Sequence, residues 1–79
     1  MSKENKVYFF GQLKDITKIE AITIKDVSDT DELLREVKTI YPDLEKIKFF
    51  VAVNKKMIQE NTKIESGQII ACMPPFSGG

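Results

Sequence analysis

Only one stretch of this chain repeats its apolar residues at helical spacing. Leu33, Leu34, Val37, Ile40 and Tyr41 fall along a single stripe, while the segments before and after it read as strands. "KVYFF" (Lys6 to Phe10) is a short aromatic and β-branched run halted by Gly11. In "EAITIKDV", Ile22 and Ile24 alternate with Thr23 and Lys25, the mark of a half-buried strand, hairpin-paired with the first across Gln12 to Ile19. Beyond the helix, "KFFVAVN" (Lys48 to Asn54) resumes strand character, Asn54-Lys55-Lys56 suits a turn, and Met57-Ile58 a short return strand. Ser66-Gly67 makes another turn before "QIIACM". A lone helical stripe among strands is buried by lying on one face of their sheet, which predicts an α+β fold with one main helix and leaves the other sheet face uncovered.

The ends of that helix are legible as well. Asp29 followed by Glu32 fits a capping box, with Thr30 an equally good N-cap, and Pro42 stops the pattern because it disfavours helical geometry at Tyr41 and has no N–H to donate. A chain of 79 residues supports one domain, here a body over residues 1–73 and a tail over 74–79.

Composition narrows the chemistry. Lys plus Arg and Asp plus Glu both number 12, so no general attraction to nucleic acid is expected. Histidine is absent and Cys72 is the single cysteine. These absences remove an internal disulfide, Ser/His and Cys/His nucleophile pairs, and cysteine or histidine metal sites. No metal site is expected. No apolar run approaches the roughly 20 residues that span a bilayer, and "MSKENK" lacks the apolar core of a secretion signal; a cytoplasmic protein without membrane contacts is expected.

Two features remain. In the last strand Ile70 and Cys72 point one way and Ile69, Ala71 and Met73 the other, and both sets are apolar. A strand with one wet face alternates with polar residues, so the second face is expected to meet a partner, with Phe10 or Tyr8 extending the patch. That strand then runs into "PPFSGG". Pro74 and Pro75 favour extended polyproline geometry and lessen the entropy lost on threading. Phe76 is an expected anchor in a partner's pocket, Ser77 continues the arm, and Gly78 and Gly79 remove side chains so that the end passes a narrow opening. The expected reactive group is the Gly79 α-carboxylate. A free carboxylate is a poor electrophile and needs activation, for which this chain has no phosphate-binding loop of the G-x-x-x-x-G-K type. Another enzyme is expected to activate it with ATP.

The tail "PPFSGG", the early "VYFFGQLKD", the "VAVN" strand and turn, and "SGQIIACMPP" together resemble the small subunits of molybdopterin synthase, a family of β-grasp, ubiquitin-like sulfur carriers. The similarity runs over essentially the whole chain. It implies a β-grasp mixed sheet packed on one helix, and a Gly79 carboxylate that is adenylated and converted to a thiocarboxylate. It also implies entry of the tail into the synthase large subunit, where sulfur transfer converts cyclic pyranopterin monophosphate to the dithiolene of molybdopterin. The implied partners are that large subunit, in a heterotetramer, and an ATP-dependent adenylating and sulfurating enzyme. By the same resemblance this chain holds no cofactor and, within a sulfurtransferase, acts as a sulfur-donating co-substrate without catalytic side chains. Gly-Gly alone is shared with the thiamine sulfur carrier and ubiquitin-like modifiers, so carriage of sulfur for thiamine, tungsten cofactor or tRNA, conjugation to lysines, and a plain interaction domain stay open. Cys72 and Met73 stand where the family often has bulkier aromatic or aliphatic residues. A sulfur relay at Cys72 is the alternative to a small buried hydrophobe, and the inward register favours the latter.

Overall fold

Five strands form one mixed sheet in the computed structural model, which describes residues 4–75. The strands are β1 (Glu4–Phe9), β2 (Ala21–Lys25), β3 (Phe50–Val53), β4 (Lys56–Ile58) and β5 (Ile69–Met73), in the spatial order β2-β1-β5-β3-β4. β5 is the middle strand. It pairs parallel with β1 and antiparallel with β3, while the β1–β2 and β3–β4 pairs are antiparallel. The expected β1–β2 hairpin pairing is present, but its connection contains a short helix, α1 (Gln12–Thr17), that the sequence reading passes over. α1 ends at Lys18, whose left-handed φ of 65° lets its N–H reach back to the Lys14 carbonyl.

The main helix, α2 (Thr30–Ile40), starts as its sequence predicts. Asp29 is the N-cap and its carboxylate accepts the Glu32 N–H at 2.9 Å; Glu32 in turn accepts the Ser28 N–H, one residue earlier than a standard capping box. Thr30 is no cap but a buried clasp: its hydroxyl accepts the Thr62 N–H at 2.8 Å and donates to Asn61 Oδ1, which also accepts the Asp31 N–H. The loop before β5 is thereby tied to the helix start. Pro42 ends α2 and opens a 3-10 helix, Pro42–Lys46, that places Leu44 in the core.

One sheet face and α2 enclose that core. Val7, Phe9, Ile24, Val51, Val53, Ile70 and Cys72 face Leu33 and Val37, and Leu13, Val27, Leu44 and Ile64 close its margins. Phe9 meets the Tyr41 ring edge-on at a centroid distance of 5.7 Å, an arrangement favoured by the ring quadrupoles. Of the expected stripe, Leu33 and Val37 are buried, Leu34 and Tyr41 half-buried, and Ile40 exposed: as the last helical residue it outruns the core. Among the described residues, no helix is long and apolar enough to cross a membrane.

Candidate functional site

The register of the sheet assembles the candidate site on the face opposite α2. Met57 pairs with Ala52, Ala52 with Ala71, Ala71 with Tyr8, and Tyr8 with Ala21, so one apolar row crosses all five strands. Phe50 pairs with Met73 on one side of that row, and Ile69 pairs with Lys6 on the other. Three alanines and Tyr8 thus form the row between Met57 and the β2 edge, with Phe50 and Met73 on one side of it and Ile69 on the other. Phe10, Phe50, Met57 and Ile69 are each between 38% and 51% exposed, and of the large apolar side chains exposed among the described residues only Ile19 and Ile40 lie elsewhere. Scattered exposed hydrophobics are ordinary, but four gathered on one sheet face set this patch apart as the candidate site.

Of the residues expected to form this patch, Ile69 and Phe10 are exposed and Ala71 and Met73 half-buried on the open face. The structure brings all four to one region. Phe10 lies just past β1, where its N–H still donates to the Cys72 carbonyl at 3.1 Å, and it joins Gly11, Met73 and Pro74 in lining an apolar notch of about 300 Å³. Sequence reasoning leaves out Phe50 and Met57. The alternation of Phe50 and Ala52 with Val51 and Val53 was the available signal for the first, whereas Met57 joins only through its pairing with Ala52.

β5 leads directly from this face into the tail. Pro74 is half-buried and Pro75 exposed. Phe76, Ser77, Gly78 and Gly79 lie outside the described residues. On the opposite side of β5, Cys72 has no exposed surface, and loss of hydration pushes its thiol up to about 12. Full burial suits the small-hydrophobe reading of Cys72 over the relay, which needs an accessible thiolate. Among the described residues, no group of three or more Cys, Asp or Glu side chains is placed to hold a metal ion.

A mixed five-stranded sheet wrapped on one helix, with the last strand central and parallel to the first, is the β-grasp fold. The chain belongs to the ThiS family, whose model matches residues 7–79. It is 34% identical to the molybdopterin synthase sulfur carrier subunit of Dictyostelium discoideum, with all of both chains covered, and 33% identical to that of Haemophilus influenzae, covering 92% of this chain and 96% of the relative. Among solved structures, a protein–protein complex of subunits 1 and 2 of the molybdopterin-converting factor from Helicobacter pylori contains a chain 30% identical to this one, with a TM-score of 0.70 over 96% of this chain and 99% of that one.

Proposed function

We propose that this protein is the sulfur-carrier small subunit of a molybdopterin synthase. The observation that carries the reading is the continuity of β5: its outer residues belong to the apolar face, and without a break its backbone becomes the Pro-Pro arm that ends in Gly78-Gly79. Docking and delivery are then built on one strand. Two relatives named as sulfur carrier subunits, and a solved complex of converting-factor subunits 1 and 2, support both the role and a large-subunit partner.

The chemistry follows from the carboxylate. An oxygen of the Gly79 carboxylate attacks the α-phosphorus of ATP on a separate activating enzyme, pyrophosphate leaves, and the acyl adenylate gains a leaving group that the free acid lacks. A persulfide sulfur then displaces AMP, and reductive cleavage of the S–S bond by a thiol leaves the thiocarboxylate. ATP serves that enzyme, and no cofactor is assigned to this chain. Six residues at an extended spacing of about 3.3 Å each span roughly 20 Å, the length by which this reading carries Gly79 into the large subunit's active site while the apolar face stays docked. There the thiocarboxylate donates sulfur to cyclic pyranopterin monophosphate, with the substrate-binding side chains supplied by the large subunit, in an assembly of two small and two large subunits in the cytoplasm.

Intact-mass measurement after incubation with ATP, the activating enzyme and a sulfur donor is expected to show a gain of about 16 Da, oxygen exchanged for sulfur at the terminal acyl group. An unchanged mass under conditions that load another carrier refutes the proposal.

A further inference from the structure

The open face of the sheet changes character along its strands. At the end where β5 finishes it is apolar: Phe50 pairs with Met73, and Phe10, Gly11, Met73 and Pro74 line the notch. At the other end the register gathers polar side chains. Lys6 lies between Ile69 on β5 and Thr23 on β2, and one step further Glu4 stands opposite Lys25. Those last two neutralise each other, with 3.7 Å between Lys25 Nζ and Glu4 Oε2. Lys6 is exposed and has no counter-ion among the described residues, and the hydroxyls of its neighbours Thr23 and Tyr8 likewise have no hydrogen-bond partner there. The face therefore carries one surplus positive charge, beside Ile69, which is 51% exposed. From Ile69 to Met73 the strand advances four residues, so Lys6 stands roughly 13 Å from the apolar end.

We infer that the large subunit presents a carboxylate to Lys6, and that this single ion pair fixes the direction in which the apolar face docks. This rests on the proposed function, which supplies the partner. Apolar contact is non-directional, so the exposed side chains of Phe10, Phe50, Met57 and Ile69 give area without choosing among docked arrangements rotated about the face. A charge placed off to one end removes that ambiguity. It also sets a condition on the partner: covering Ile69 strips water from the neighbouring ammonium, which is strongly unfavourable unless a counter-ion takes the water's place. Glu4 is already engaged by Lys25, so the counter-ion comes from the other protein. The Thr23 and Tyr8 hydroxyls can donate to the same carboxylate. Lys6 is thereby a specificity-determining residue, selecting a surface that is apolar over most of its area and negative at one end.

Two measurements on the full chain with the large subunit test this. Lys6→Met, which keeps the apolar stem and removes the charge, is expected to raise Kd about tenfold and Lys6→Glu about a hundredfold, with Lys6→Arg within about threefold of wild type. Added salt is expected to weaken wild-type binding more than Lys6→Met binding, because the variant has lost the screened attraction. Lys14→Met, which removes a lysine from α1 instead of the sheet face, is expected to change Kd less than about twofold. Equal urea midpoints check that the variants are folded. The second measurement needs no variant. A water-soluble carbodiimide activates a carboxylate, a nearby amine attacks the acyl carbon to form an amide, and the urea leaves with the displaced oxygen. Peptide mapping of the treated complex is expected to find Lys6 joined to an Asp or Glu of the large subunit. Wild-type affinity in Lys6→Met, an equal loss in Lys14→Met, or Lys6 joined only to a second copy of this chain or to nothing overturns the inference while leaving the sulfur-carrier reading in place. A wild-type chain that does not bind the large subunit at all removes both.

Discussion

The two faces of β5 have nearly the same composition and opposite fates. Ile70 and Cys72 are fully buried under α2, while Ile69 is half exposed and Met73 half-buried on the other side. What separates them is not hydrophobicity but cover. The core face meets an amphipathic helix, a 3-10 turn and the loop carrying Ile64, whereas in the row from Met57 to Ala21, on the face away from the helix, Met57 is exposed, Tyr8, Ala71 and Ala21 are half-buried and only the small Ala52 is buried. One face supplies folding free energy, and the other is free to supply binding free energy to a partner. The central strand contributes to both, and under the proposed function its continuation is the sulfur-bearing arm.

That contrast predicts mutational effects that separate by face. Leu33→Ala, on the core side, is expected to cost about 3 kcal/mol of folding stability in denaturant unfolding, because the cavity left under the sheet cannot fully collapse. A loss below about 1 kcal/mol would mean that the helix is less firmly packed than its buried residues indicate. Ile69→Asp, on the open side, is expected to weaken large-subunit binding by about 2 kcal/mol, roughly thirtyfold, while moving stability by no more than about 0.5 kcal/mol. Unfolding instead of weakened binding would assign this face to the core.

The two sides of β5 also differ in their response to pH. The Cys72 thiol ionises near 12 in the folded protein, against about 9 for an ordinary thiol. Its folded value is raised, so the stability it contributes is intact below about pH 9. As pH climbs toward 12 the unfolded chain ionises first, and stability falls by at most about 1.4 kcal/mol per pH unit. Urea unfolding at rising pH is expected to show this extra slope in the wild type and not in Cys72→Ala. Equal slopes would mean that the thiol is hydrated in the folded state.

How far the sequence anticipates this arrangement depends on the range of the forces involved. α2, its Asp29 cap and its stop at Pro42 are local, set by spacing and by one or two side chains, and they appear where expected. The inward and outward halves of β5 are local too. α1 escapes because it is only one or two turns long and is framed by the unusual backbone of Gly11 and Lys18 rather than by a capping side chain. The position of β5 between β1 and β3 is not local at all, and with it goes the membership of Phe50 and Met57 in the open face. For the same reason the meeting of Phe10 and Gly11 with Met73 and Pro74 in one notch is visible only after the sheet is built.

The most direct test of the whole account follows the sulfur atom itself. The chain is loaded at its terminal acyl group with radioactive sulfur and mixed with the large subunit and cyclic pyranopterin monophosphate. The account predicts that label leaves the protein and appears in the pterin product, in proportion to the loaded chain consumed. Label that stays on the chain, or a chain that becomes joined to lysines of other proteins while the pterin stays unlabelled, would contradict it.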